Sequence, residues 1–364
     1  MKAALLRQPG QPLTIEDVIV DRPGPREVLI RTAAVGLCHS DLHFINGTYP
    51  APMLPLIPGH EAAGIVEAVG SDVRMVKPGD HVITCLSVFC GHCEHCVTGR
   101  LSLCTSNETR RPKSETPRLR HLGGPVGQLL ALSAFAEQML VHEHACVAVR
   151  KDMPLDRAAL IGCAVMTGYG AVAHTAQVRP GETVAVIGCG GIGLSVINSA
   201  RIAGAGRIVA VDRLPGKLAM ATQFGATDVV DASQGDAVAA VQALTAGGVH
   251  HAFEAIGLKA TVEQSWRMLR RGGTATVIGM IPPGTKIEIP GTDFLAEKRI
   301  QGCMMGSNHF TVDMPRMVDL YLQGRLELDA LISQRIRLDQ INDGLAELAR
   351  GELARSVIVF DAAA

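Results

Sequence analysis

Residues 182–193 read ETVAVIGCGGIG, and the fold class turns on them. The opening, ETVAVIG, is a short run rich in Val and Ile, which suits a strand buried in a parallel sheet. Gly188-Cys189-Gly190-Gly191-Ile192-Gly193 follows, and then LSVINSARIAG, whose apolar residues recur at helical spacing. Strand, glycine turn and helix in that order are the context a G-x-G-x-x-G dinucleotide fingerprint requires. The glycines allow the tight turn and let backbone N–H groups approach a pyrophosphate at the helix N-terminus. The next strand, RIVAVD, ends at Asp212, nineteen residues past Gly193. A carboxylate there accepts hydrogen bonds from ribose hydroxyls and repels a 2′-phosphate, so NAD is expected over NADP. Arg213 follows directly and softens that preference.

Outward from the fingerprint, βα alternation continues through ATDVVD, AVAAVQALT, HHAFEAIG, TVEQSWRMLR and GGTATVIGM. That pattern predicts a doubly wound parallel sheet, an α/β fold. Before residue 165 the texture changes to short β-rich runs broken by Gly and Pro, among them EVLIRTAAVGL, AAGIVEAVG and GDHVITCL, which predict a separate β-rich domain. The last stretch carries helices around VDMPRMVDLYLQG and LDQINDGLAELARG and a closing strand, ARSVIVFD. A chain of 364 residues fits about two domains. With 34 basic and 35 acidic side chains it has no charge field for nucleic acid or an anionic membrane, so neither is expected as a partner. The uncharged stretches 158–178 and 183–200 are broken by Gly, Thr, Ser and His and are expected not to span a bilayer. The N-terminus lacks the long apolar segment of a signal peptide, so a cytoplasmic location is expected.

Ten cysteines without a secretion signal point to metal rather than disulfides. Cys90, Cys93, Cys96 and Cys104 lie within fifteen residues, at a spacing that closes a tetrahedron around Zn²⁺ on one loop. His92 and His95 lie among them as competing ligands, but four thiolates already fill the shell, so this zinc is expected to be structural. Cys38, His60 and Cys163 are a second candidate set. Two thiolates and an imidazole leave a fourth position open, the layout of a catalytic zinc. Spacing cannot join them, since they stand 22 and 103 residues apart, and each alone reads equally well as a core or turn residue.

Together these residues resemble the zinc-dependent medium-chain alcohol dehydrogenases. GLCHSDLH, PGHEAAGIVEAVG, the four-cysteine loop, IGCAVMTGYGA, GCGGIG, Asp212 and ARSVIVF stand in that family's order along nearly the whole chain. The resemblance implies a GroES-like catalytic domain of residues 1–165 and 306–364 and a Rossmann NAD-binding domain of residues 166–305, with the active site between them. It implies two zincs per subunit, a catalytic one on Cys38, His60 and Cys163 and a structural one on the four-cysteine loop. The implied reaction is reversible hydride transfer between an alcohol and NAD, with the alcohol and its aldehyde as small-molecule partners. By the same resemblance Ser40 receives the alcohol proton and His43 passes it to solvent, Asp41 supports His60, and Glu61 lies behind the metal. His39, Thr167, Lys217 and Arg355 join Gly188, Gly190, Gly191, Ile192, Gly193 and Asp212 as cofactor contacts. A homodimer or homotetramer joined near residues 285–303 is also implied.

Two departures from that family set further expectations. His39 stands where many relatives carry Arg, so its pyrophosphate contact should weaken as pH rises through about 6.5. Leu86 stands where many relatives carry an aromatic side chain, which predicts a wider pocket for medium-chain or aromatic primary alcohols. A thiol-adduct formaldehyde dehydrogenase is the alternative reading. Its conjugate would need cations, and the Arg-rich stretch 105–122, expected otherwise to be a solvated loop, is where the sequence offers them. A non-catalytic zinc and nucleotide-binding relative is the remaining alternative. His142, His144 and Cys146 alternate and are expected to form an exposed strand face, while Cys85, Cys189 and Cys303 are expected to pack as small core residues.

Overall fold

In the computed structural model, residues 1–112, 114–351 and 353–360 are described, and they form two compact units. One comprises Met1–Cys163, His309–Gly324 and the chain from Leu328 on, and the other comprises Ala164–Asn308 with Arg325–Glu327. Residues 361–364, the end of the expected catalytic domain, and Lys113 in the Arg-rich stretch lie outside the described residues.

The second unit is built on a six-stranded parallel sheet. Its order is Asp228–Asp231, Arg207–Asp212, Thr183–Ile187, Val249–Glu254, Leu269–Val277 and Arg299–Gly302. The opening strand of the fingerprint sits mid-sheet with four of its five residues buried, which is why it reads as an unbroken apolar run rather than an alternating one. Helices Gly191–Ile202, Pro215–Phe224, Ala237–Leu244 and Lys259–Arg267 make the crossovers. The winding reverses between Thr183–Ile187 and Val249–Glu254, so the crevice beyond those strand ends is the place where such sheets bind ligands.

The first unit holds a seven-stranded, mostly antiparallel sheet. Its longest strand, Glu27–Gly36, pairs with Glu61–Val69, Gln138–His142 and Arg355–Val359. The closing segment ARSVIVFD thus returns to the start of the chain, with Val357 opposite Gly36 and Ile358 opposite Val35. Val28, Ile30, Val35 and Ile358 from these strands are fully buried together with Leu37, Leu56 and Phe135.

Two expectations need correction. His142, His144 and Cys146 do not share an exposed strand face. The strand ends at His142, a 3₁₀ turn covers Glu143–Ala145, and a new strand starts at Cys146, leaving His142 and Cys146 buried. Glu143 holds that turn by accepting hydrogen bonds from Arg26 Nε at 2.8 Å and from the Arg74 backbone at 3.0 Å. The Arg-rich stretch is not a solvated loop throughout. Arg111 binds Glu27 and Asp21, and the buried Arg118 donates to Glu27 at 2.6 Å and to the Thr109 carbonyl at 2.9 Å. Glu27 is itself buried at the head of the long strand, and a carboxylate there needs such partners. The helical run Leu155–Ala176 is long and apolar enough to cross a membrane, but 78% of its apolar window is buried inside the protein, as in a core helix.

Candidate functional site

Three separate stretches of the first unit bring Cys38, His60 and Cys163 together. Cys38 is the N-cap of helix His39–Ile45, and His60 stands immediately before strand Glu61–Val69. Cys163 lies in a π-helical turn, Ile161–Val165, that interrupts the long helical run. That turn reaches the sheet because residue 162 is glycine. A methyl group there would lie 2.8 Å from the Thr84 carbonyl oxygen. The two sulfurs and the imidazole nitrogen all fall within 4.8 Å of one another, and all three residues are buried. His60 Nε2 is 3.2 Å from Cys163 Sγ, and His60 Nδ1 donates to Asp41 Oδ1 at 3.0 Å. Asp41 Oδ1 also accepts the Gly59 backbone N–H, so the carboxylate fixes both the ring and the turn that carries it. With Nδ1 protonated, Nε2 keeps its lone pair for a metal.

The Cys38 thiol is drawn well below its ordinary value by its hydrogen bond with Cys163 and by the Arg355 guanidinium. The same hydrogen bond, together with burial, pushes Cys163 well above its ordinary value. Burial opposes charge on His60, but Asp41 and Cys38 outweigh it and raise the imidazole. Two buried thiols and an imidazole whose Nδ1 is tied to Asp41 fit one divalent cation, which would replace the thiol protons. Two sulfurs and one nitrogen fit zinc and leave a tetrahedral ion one ligand short.

Arg355 was read from the sequence as a cofactor contact. Its guanidinium is buried beside this cluster, with Nε 3.4 Å from Glu61 Oε2 and Nη2 4.0 Å from Cys38 Sγ. Sequence reasoning missed the pairing, because no spacing signal joins residues 61 and 355. Ser40 Oγ lies 3.7 Å from Cys38 Sγ. His43 is half-buried beside Tyr49, and burial lowers its pKa. His39 is exposed.

The second cluster is local. Cys90, Cys93, Cys96 and Cys104 place their sulfurs within 4.8 Å of one another with no disulfide among them. The backbone N–H of Cys93 points at Cys90 Sγ and that of Cys90 at Cys104 Sγ, each at 3.4 Å, as in a shell built for thiolates. Backbone donors near His92 and Cys93 bring Cys90 down to about 6, whereas burial pushes Cys96 up to about 12. His92 is engaged elsewhere, 2.7 Å from Glu108 Oε2, and neither His92 nor His95 belongs to the cluster. Four sulfurs fill a tetrahedral shell and leave no place for substrate.

In the second unit, Gly188 adopts φ +93°, and a methyl group at Gly193 would lie 1.7 Å from the Gly188 carbonyl oxygen. Gly190, the N-cap of helix Gly191–Ile202, faces open space instead, so the backbone N–H groups there are approachable. Asp212 Oδ2 accepts the Cys189 N–H at 2.8 Å and Oδ1 accepts those of Arg213 and Leu214. The carboxylate therefore braces the fingerprint turn from the neighbouring strand. Lys217 lies half-exposed on the helix Pro215–Phe224, and Thr167 is buried with Oγ1 3.6 Å from Met305 Sδ. The open turn, its helix N-terminus and the acid beside it fit a dinucleotide.

A Cys₂His cluster, a Cys₄ loop and a dinucleotide fingerprint on one chain define a class, the two-domain zinc-binding dehydrogenases. Residues 24–151 match the alcohol dehydrogenase GroES-like domain, and residues 191–323 match the zinc-binding dehydrogenase domain. The chain is 36% identical to the NDMA-dependent alcohol dehydrogenase of Amycolatopsis methanolica, over 99% of each protein. It is 35% identical to the S-(hydroxymethyl)glutathione dehydrogenase of Haemophilus influenzae, over 99% of this chain and 97% of that one. Benzyl alcohol dehydrogenase from Acinetobacter calcoaceticus superposes with a TM-score of 0.93 at 32% identity, over 99% of each chain. The protein belongs to the zinc-dependent medium-chain alcohol dehydrogenase family.

Proposed function

We propose that the protein is an NAD-dependent zinc alcohol dehydrogenase that interconverts primary alcohols, medium-chain or aromatic, and their aldehydes. The observation that carries this reading is the buried Cys38–His60–Cys163 cluster, one ligand short of a tetrahedron and braced by Asp41. Zinc bound there supplies Lewis acidity toward the alcohol oxygen. Ser40 Oγ accepts the hydroxyl proton, and His43 passes it to solvent. Its lowered pKa keeps the ring neutral and able to accept a proton near neutral pH. Asp41 holds His60 in one tautomer, while Glu61 and Arg355 set the charge behind the cluster. The fingerprint turn and Asp212 hold the dinucleotide, with Lys217 at its adenosine end and Thr167 at its nicotinamide end. The reaction balances as alcohol and NAD⁺ giving aldehyde, NADH and a proton. The Cys₄ loop holds a second, structural zinc. The exposed Phe294 and Leu295, beside the edge strand Arg299–Gly302, support a homo-oligomer joined through that edge.

The thiol-adduct reading has less support. A glutathione or mycothiol conjugate brings carboxylates that need free cations, and Arg111 and Arg118 are committed to Glu27 and Asp21. The discriminating assay follows NADH formation from NAD⁺ with hexanol and, separately, with formaldehyde plus glutathione. Turnover of hexanol without thiol is expected. Activity with formaldehyde only when the thiol is present would reverse the assignment.

A further inference from the structure

The turn after strand Val249–Glu254 buries a carboxylate that none of the roles above uses. Glu254 is 0% exposed. Its Oε1 accepts the backbone N–H groups of Ile256 at 3.0 Å and Gly257 at 2.8 Å and the Thr261 hydroxyl at 2.7 Å. Among the described residues its Oε2 has no hydrogen-bond partner. A buried carboxylate with one unmatched oxygen is costly, so its presence calls for a reason. The backbone is shaped around it, for Gly257 has φ +93° and a methyl group at Gly279 would lie 2.6 Å from Oε2. The turn held in this way packs on the fingerprint. A methyl group at Gly188 would fall 2.5 Å from Ile256 Cγ1, so Ile256 lies directly against the first glycine, and it remains 41% exposed. This strand end flanks the point where the sheet reverses its winding, where ligands of such sheets bind.

We propose that Glu254 is a positioning residue for the dinucleotide. By capturing the Ile256 and Gly257 N–H groups it fixes Ile256 as an apolar ledge beside Gly188, and the bound dinucleotide rests on that ledge. Glu254 acts through the turn and touches no ligand itself. The proposal rests on the dinucleotide-binding reading above.

The test is NADH binding by the zinc-loaded protein, followed by nucleotide fluorescence in wild type, Glu254→Ala, Glu254→Gln and Ile256→Ala. Glu254→Ala is expected to raise the NADH Kd about tenfold, and Glu254→Gln, whose amide oxygen still accepts both N–H groups, to restore most of it. KM for NAD⁺ should rise with little change in KM for the alcohol, and the Ile256 and Gly257 amides should lose hydrogen-exchange protection. Ile256→Ala removes the ledge and leaves the carboxylate, so it answers the question even where Glu254→Ala does not fold. Wild-type binding with Kd unchanged in Glu254→Ala or Ile256→Ala would overturn this proposal alone. A wild-type protein binding neither NADH nor NADPH would overturn the dinucleotide reading and this proposal with it.

Discussion

Asp41 shows most clearly how one side chain shapes the chemistry of another. It is fully buried, and a single oxygen serves both the His60 ring and the Gly59 N–H. Its replacement frees the imidazole to rotate and to change tautomer. Asp41→Ala is therefore expected to weaken metal affinity at the Cys38 cluster by ~10–100-fold, the usual consequence of losing such support. Chelator competition that distinguishes two zincs per chain reads this directly. The Cys₄ zinc should be unaffected, and equal resistance of both zincs in the variant would remove Asp41 from the role. The pairing of Asp41 with His60 came only from the family resemblance, since no spacing signal joins residues 41 and 60. Arg355 was harder to place. Its partner Glu61 lies far upstream, and the antiparallel return of the closing strand onto Glu27–Gly36 brings the two together.

At the scale of elements, local signals were readable and long-range partners were not. The strand, glycine turn and helix at 183–202 lie within one contiguous stretch, and so does the Cys₄ loop, so spacing alone carried both. Cys38, His60 and Cys163 meet only because a helix N-cap, a strand start and a π turn converge, and no local pattern encodes that convergence. The alternation of His142, His144 and Cys146 misled for a related reason. The period of two is genuine, but Glu143 breaks the strand inside it. His142 is consequently buried, and burial, with Arg26 and Arg118 adding to it, lowers its pKa to about 4. The unfolded chain protonates this ring near the ordinary ~6.5, so between about pH 6.5 and 4 the unfolded state binds more protons. The stabilising contribution is present above that window and is lost as pH falls through it. Urea denaturation should show wild type losing on the order of 1–2 kcal/mol more than His142→Asn between pH 7.5 and 4.5. Parallel losses in the two proteins would rule out this residue as a source of acid sensitivity.

For the molecule as a whole, the proposed function gives the two units different tasks. On that proposal the buried Cys38, His60 and Cys163 of the first unit would hold zinc, and the helix N-terminus at Gly190 in the second unit would take a pyrophosphate. Among the described residues the second sheet also ends in an edge strand, Arg299–Gly302, paired on one side only, and nearby in the chain Leu295 is 85% exposed. Edges of this kind invite pairing with another chain. Leu295→Glu is expected to shift the protein toward a monomer in light scattering, and an unaltered mass would place the oligomer contact elsewhere.

The central claim is that the Cys38 cluster holds the zinc at which alcohol is oxidised. The most direct measurement is NADH formation from NAD⁺ and hexanol by wild type and Cys38→Ser, each with its zinc content determined. Wild type is expected to hold two zincs and turn over steadily, and the variant to hold one zinc and show no turnover. Undiminished turnover by a variant that retains only the Cys₄ zinc would contradict it.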